Sequence, residues 1–285
     1  MHHVPNARSE FATGLRAFVP LTMAIIPLGM VCGASAVAAG MTAWQAFSMG
    51  WVIFAGSAQI VIAQLLASGA PLPALLPTEP GRNCPLCPRL KGFRDDARAR
   101  EPKWFNSPVP SFGDPDARLL IVGLAPGLQG ANRTGRPFTG DFAGDLLYAT
   151  LIEYGFAKGV YQARPDDGLA LVDCRISNAV RCVPPQNKPL PAEINTCRQF
   201  LIATLAAMPG LRAIVALGRV AHESTLKALG VRSAAAPFKH GAIHKSGALK
   251  LYDSYHCSRY NTNTRVLTPD MFRSVFARVK LDLES

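Results

Sequence analysis

The stretch 121-IVGLAPGLQGANRTGRPFTGD-141 begins as an apolar strand and continues as a loop with five glycines and two arginines. A helix-period segment opens where it ends. A strand, a glycine-rich turn and a helix in that order predict one unit of an α/β layer, and the alternation continues downstream. Leu119–Leu124, Leu169–Ile176, Ala213–Leu217 and Leu249–Ser254 read as strands; Asp141–Phe156, Pro191–Ala207, Arg219–Leu229 and Pro269–Leu281 read as helices. The expected fold is α/β with a central, mainly parallel sheet. Ligands of such sheets bind beyond the carboxyl ends of the strands, where this loop lies.

The chain of 285 residues is charged unevenly. Residues 1–78 hold only Arg8, Glu10 and Arg16, so residues 79–285 carry 28 basic against 18 acidic side chains, a net charge of +10. Two apolar blocks, Ala17–Gly40 and Ala46–Ser68, are each long enough to cross a hydrocarbon core, which takes roughly 20 residues. They predict an apolar helical, membrane-type segment over 1–68. A signal peptide has a shorter apolar core, and a buried helical hairpin is the other reading. Arg8 and Arg16 precede the first block and no basic residue separates the two, which places both ends of the segment on the cytoplasmic side. The stretch 69-GAPLPALLPTEPGR-82, with four prolines, reads as a linker. Residues 83–285 then form the second domain. No internal repeat or low-complexity tail interrupts it.

Four of the seven cysteines form two pairs: Cys84-Pro-Leu-Cys87, and Cys182 with Cys197 around a Pro-rich loop and helix start. A disulfide framework is unnecessary for an α/β domain of this size, and a thioredoxin-like pair would follow a strand. A four-thiolate metal site fits best, and both zinc and a [4Fe–4S] cluster accept such ligands. Cys174 falls within a predicted strand and reads as packing.

Two further polar loops follow predicted strands: 178-NAVRCVPPQN-187 and 254-SYHCSRYNTNT-264. With the opening loop they bring a carboxylate, amides, a histidine, an aromatic ring and arginines to one sheet edge. The first loop is neither a P-loop nor a clean GxGxxG, so nucleotide binding is weakly signalled.

These motifs, with the cysteine spacing, resemble the type 5 (UdgB-type) uracil-DNA glycosylases over about residues 83–283. Upstream, Ile26-Pro27-Leu28-Gly29 and Phe54-Ala55-Gly56-Ser57-Ala58-Gln59, within residues 14–71, resemble the start of AzlC-type branched-chain amino acid permeases. That segment is too short to assemble a transport site, so it reads as an anchor over 17–68 or a fusion relic. The glycosylase resemblance implies a three-layer fold and a structural [4Fe–4S] cluster on Cys84, Cys87, Cys182 and Cys197. It also implies hydrolysis of the N-glycosidic bond of uracil, and of other deaminated bases, in double-stranded DNA, as in base excision repair. No obligate protein partner is evident. The catalytic domain is expected on the cytoplasmic side, tethered by the leader.

Base excision requires the base to be flipped into a pocket. By the resemblance, Phe138 stacks on the flipped ring and Asn178 reads its N3–H and O4 edge. The backbone of Gly123, Ala125, Pro126 and Gly127, together with His256, stabilises the departing anion. Asp141, helped by Asn187, positions water. Arg133, Arg136, Ser258, Arg259 and Asn261 contact DNA, with Arg265 among the phosphate-facing charges. The loop holding His240 and His244 is placed near the DNA. These residues also have plain structural readings: Asp141 as a helix N-cap, His256 as a hydrogen-bonded structural histidine, Asn178 as a turn tie, Phe138 as core.

The last motif departs from the family pattern. Cys257 stands where Pro is usual after the histidine, and Arg265 stands where Gly is usual, which predicts strain if that position needs φ > 0. A non-catalytic, cluster-bearing DNA-binding module and a transport-related fusion protein are therefore the competing readings.

Overall fold

The computed structural model describes residues 77–285, together with Val37 and Thr42. The chain divides into two units, Met1–Leu75 and Leu76–Ser285, and the second is described here. Apart from Val37, the expected apolar helices over 17–40 and 46–68 lie outside the described residues. Among the described residues no helix is long and apolar enough to cross a membrane.

Six strands form one sheet in the order β1 (Phe112–Gly113), β5 (Cys174–Asn178), β2 (Leu119–Gly123), β6 (Ala213–Leu217), β8 (Leu249–Ser254) and β7 (Ile243–Ser246). The central four pair in parallel, and the edge strands β1 and β7 are antiparallel. A separate two-stranded hairpin joins β3 (Ala157–Lys158) to β4 (Ala170–Leu171).

Strand side chains alternate between faces, and β2 and β6, at the centre, are apolar at nearly every position, as parallel strands covered on both sides require. Ile121, Ile176, Val215 and Tyr252 point into one core, with Leu147, Tyr148 and Leu151 of α3 (Phe142–Glu153) and Phe272, Phe276 and Val279 of α7 (Pro269–Glu284). Leu120, Val122, Ile214 and Leu251 point the other way, against Leu201 of α4 (Pro191–Ala206) and Leu226 of α5 (Arg219–Ala228). The result is three layers.

Helix α7 shows how the sequence sets an element. Thr268 caps it by accepting from the Met271 N–H at 3.2 Å, Pro269 occupies the first turn, and Phe272, Val275, Phe276 and Val279 form its buried stripe.

Strands β2, β6 and β8 and the helices α3, α4, α5 and α7 fall within a few residues of the expected positions. The strand expected over 169–176 is broken instead. Asp173 takes φ 49° and its carboxylate pairs with Arg118 at 2.6 Å, so the chain turns there and β4 and β5 become separate. The helix α1 (Pro88–Arg100) was not legible, because it buries only Leu90, Arg94 and Ala97. Glu79, at the end of the expected linker, is fastened to the domain by Arg181 at 3.1 Å and the Ser111 N–H at 3.0 Å.

Candidate active site

The parallel register aligns Gly123 with Asn178, and Leu217 with Ser254. The three polar loops therefore leave the sheet at one edge. Between β2 and α3 lies a short helix, α2 (Ala131–Thr134), inside the glycine-rich loop.

Gly123 ends β2 where the ring of Phe138 and the amide oxygen of Asn178 meet, and a Cβ at Gly123 would overlap both. Phe138 is 7% exposed, with φ 55°. The left-handed region is costly for an aromatic residue, and the surroundings hold it there. Tyr148 donates to the Pro137 carbonyl at 2.6 Å and Tyr161 to the Phe138 carbonyl at 3.1 Å. Facing the Phe138 ring is the imidazole of His256, 6.0 Å between centroids and 28° from parallel. The Oδ1 of Asn178 is buried without a hydrogen-bond partner, although buried polar atoms are almost always satisfied. It lies with the Phe138 ring beside Gly123.

Asp141 occupies the N-cap position of α3, but its side chain makes no capping bond. The carboxylate turns back onto the loop instead, against Gly127 and Gly130, where any Cβ would overlap it. Burial raises its pKa; the N–H groups of Ala131 and Gly127 and the charge of Arg133 oppose that rise. The loop is glycine-rich because it wraps a carboxylate.

His256 lies between Phe138 and an open pocket lined by Leu124, Leu217, Arg219, Phe238 and Tyr255. Burial lowers its pKa to about 4, so the imidazole is neutral near pH 7. Asn261 fixes its backbone by donating from Nδ2 to the His256 carbonyl at 2.8 Å. Ser258 caps α6 (Arg259–Asn263) through the Asn261 N–H. Arg259 is exposed, with its guanidinium 5.2 Å from the Phe142 ring centroid. Arg133 is exposed beside the loop.

Other expected residues are placed differently. Arg136 is 5% exposed and engages both oxygens of Asp167 at 2.8 Å, with Nε donating to Thr139. It lies over Phe112, Tyr148 and Tyr161. Three of its five N–H groups are engaged and the guanidinium is enclosed, so the structure does not set Arg136 on a surface open to the expected DNA phosphate. Asn187 is exposed on a 3-10 turn with φ 57°, and its side chain makes no hydrogen bond to Asp141. His244 lies on β7, not in a loop, and binds Asp253 at 3.0 Å; His222 binds the same carboxylate at 2.6 Å. His240 accepts from the Tyr255 N–H at 3.1 Å. These histidines brace the end of β8 and do not face outward. Tyr161 and Asp167 come from the loop between β3 and β4; no motif spacing marks either residue in the sequence.

Cys84, Cys87, Cys182 and Cys197 line one small cavity with Leu90 and Phe200. All four are free thiols, and burial pushes Cys182 up to about 11 and Cys197 up to about 12. Arg94, 1% exposed, donates to the Cys182 sulfur at 3.2 Å, and the Arg181 N–H to the Cys197 sulfur at 3.3 Å. Four sulfurs in an apolar cradle, already met by buried donors, suit a group that binds thiolate. Ala125 of the glycine-rich loop packs against this cluster of residues. Cys174 is fully buried in the core, as expected from its strand.

A model of the uracil DNA glycosylase superfamily matches residues 110–280, and a model of the AzlC protein family matches residues 20–79. The chain is similar to the type-5 uracil-DNA glycosylase of Thermus thermophilus, at 46% identity over 204 residues covering 69% of this chain and 92% of that protein. It is 40% identical over 204 residues to the type-5 enzyme of Pyrobaculum aerophilum, covering 70% and 89%. Against that of Mycobacterium tuberculosis it is 42% identical over 207 residues, covering 69% and 77%.

Proposed function

The chain belongs to the uracil DNA glycosylase superfamily and, within it, to the type-5 uracil-DNA glycosylases; it is a uracil-DNA glycosylase of base excision repair, and we propose the following division of labour among its residues, acting on double-stranded DNA. The flipped uracil stacks on Phe138, with Asn178 and His256 at its edges. The observation that carries this reading is the buried, unpartnered Oδ1 of Asn178 beside the Phe138 ring. A uracil N3–H supplies the donor that this oxygen lacks, and leaving such an oxygen unpaired costs about 1–3 kcal/mol.

The glycosidic C1′–N1 bond breaks with its electron pair on uracil, leaving an oxocarbenium-like sugar. Neutral His256 donates a hydrogen bond to O2 of the departing anion, and the backbone of Gly123, Ala125, Pro126 and Gly127 shapes its surroundings; Pro126 has no N–H and the Gly127 N–H serves Asp141. Asp141, ionised above its raised pKa, holds water by its oxygen, takes its proton as the C1′–O bond forms, and offsets the positive sugar. Asn187, exposed at the rim, joins only when DNA closes over it. Arg133, Arg259, Ser258 and Asn261 lie on the loops that meet the DNA. The domain is basic, so association is salt-dependent.

Cys84, Cys87, Cys182 and Cys197 would hold a [4Fe–4S] cluster. The cluster supplies no step of the reaction; it ties the segment around α1 to the loop after β5. Its effect on the site is mechanical, through Ala125. The apolar leader over 17–68 serves as an anchor on the cytoplasmic face; its long uncharged run supports this, and membrane flotation of the full chain tests it.

Full-length protein is incubated with a duplex carrying one U·G pair, then with alkali. Strand scission that Asn178→Ala reduces far more than abasic-site binding supports the base-reading role. No scission with binding retained favours the non-catalytic module that the altered last motif allows.

A further inference from the structure

An open groove borders the glycine-rich loop, sharing Arg133 and Thr134 with it. Its lining includes Arg82, Lys103, Trp104, Phe105, Arg133 and Arg164, and contains no acidic side chain. Among the described residues, Arg82, Lys103 and Arg133 have no ion-paired carboxylate, and Arg164 donates to Gln162 Oε1 at 2.9 Å and pairs only loosely, in the open, with Asp166 at 3.8 Å. Trp104 is half-buried, and Phe105 is 37% exposed despite its size.

The groove is built on the catalytic loop. Phe105 N–H donates to the Arg133 carbonyl and Asn106 N–H to the Asn132 carbonyl, each at 3.0 Å. The buried Asn132 amide bonds Asn106 at 2.9 Å. Arg133 belongs to both places, since it lines the groove and its charge acts on Asp141.

A concave run of cations interleaved with aromatic rings fits a single nucleic-acid strand, whose phosphates meet the cations and whose unpaired bases stack on the rings. A duplex offers no free base face. An acidic peptide satisfies the charges but leaves the rings unused, and the uncharged leader of this chain satisfies neither. We propose that this groove is a second nucleic-acid subsite, which takes an unpaired flank of the uracil-bearing strand, with phosphates on Arg82, Lys103, Arg133 and Arg164 and a base on Trp104. The proposal rests on the excision reading at Asp141 and Phe138, because Arg133 both lines the groove and acts on Asp141. It implies preference for uracil beside gaps, nicks or frayed ends.

The test uses the full chain and fluorescein-labelled duplexes with one U·G pair, blunt or with a single-stranded extension of about eight nucleotides, within the usual site-size range of such grooves. Wild type should bind the extended duplex about tenfold tighter than the blunt one. Lys103→Glu with Arg164→Glu, both exposed, should abolish that gain while leaving excision from the blunt duplex unchanged. The gain for the extended duplex should also fall with salt, with a slope of about 0.7 per phosphate contacted on the single strand. Trp104→Ala should reduce the gain without changing that slope. No gain from the extension in wild type, or the same gain in the charge-reversed variant, overturns the proposal. Equal weakening of blunt and extended duplexes does so too, by making the groove a duplex contact. Failure of the excision reading would show separately, as absence of scission by wild type on the blunt duplex.

Discussion

The carboxylate of Asp141 lies against Gly130, although Asp141 stands at the N-cap of a helix. The residue type suits a cap, but the side chain is used by the loop. Asp141→Asn should therefore slow excision by roughly 100-fold or more, the scale of a lost general base, and shift stability by less than the ~1 kcal/mol of a lost cap. Gly130→Ala should copy the kinetic loss, because its methyl displaces the carboxylate. Single-turnover rates beside urea midpoints check both. A full cap-sized loss of stability in Asp141→Asn would return the residue to helix capping.

His256 should make stability depend on pH. Its folded pKa, about 4, lies below the ordinary 6.5. Between those values the unfolded chain binds the extra proton, so stability rises with pH through that window. The change is on the order of 3 kcal/mol at most. In His256→Gln the urea midpoint should lose this slope between pH 4 and 6.5, and an unchanged slope would assign the dependence to other groups.

Phe138 keeps its left-handed backbone through neighbours outside the motifs. Tyr161→Phe removes the donor to the Phe138 carbonyl, so the single-turnover rate should fall several-fold with melting nearly unchanged. Asp167→Asn is harsher. It strips the partner from buried Arg136, and breaking such a pair costs about 3–5 kcal/mol. The Arg136 guanidinium holds the Asp167 carboxyl far below the usual carboxylate range. That contribution is complete above the ordinary carboxylate pKa and is lost as acid protonates the folded form. Thermal melts at pH 7 and in acid measure it.

Arg265 takes φ 57°, the strain anticipated where the family pattern has Gly. Arg265→Gly should stabilise the protein by roughly 0.5–1 kcal/mol, the left-handed penalty less the entropy of glycine. Arg265→Ala should give no such gain, and equal midpoints for the two variants would remove the strain argument. Cys257 is fully buried, with its thiol toward the Ala143 carbonyl at 3.5 Å. It packs the motif onto α3 and leaves no loose backbone.

Cys182→Ser should lower the iron and sulfide content of anaerobically purified protein. It should also loosen the glycine-rich loop through Ala125. Hydrogen exchange across residues 124–131 reads that loosening. Full protection without iron would make the cysteine core self-sufficient.

The sequence by itself determined the layer order and the parallel core. Leu119–Gly123 and Ala213–Leu217 are continuous apolar runs of strand length, and α7 carries its cap and proline in consecutive residues ahead of its apolar stripe. Such signals are local, and burial on both faces enforces them. The motifs likewise identified Phe138, Asn178, Asp141 and His256 as residues of one sheet edge, because strand ends dictate where loops emerge. Only the tertiary structure decided what each side chain does there. Arg133 and Arg136 are three residues apart with the same charge, yet one is exposed and the other buried on Asp167. Asp167 lies 31 residues away in the chain. Tyr161, Gly130 and the unpartnered oxygen of Asn178 acquire meaning in the same way, through contacts between segments distant in sequence. Periodicity records which face of an element is buried; it carries no record of which partner waits on the other side.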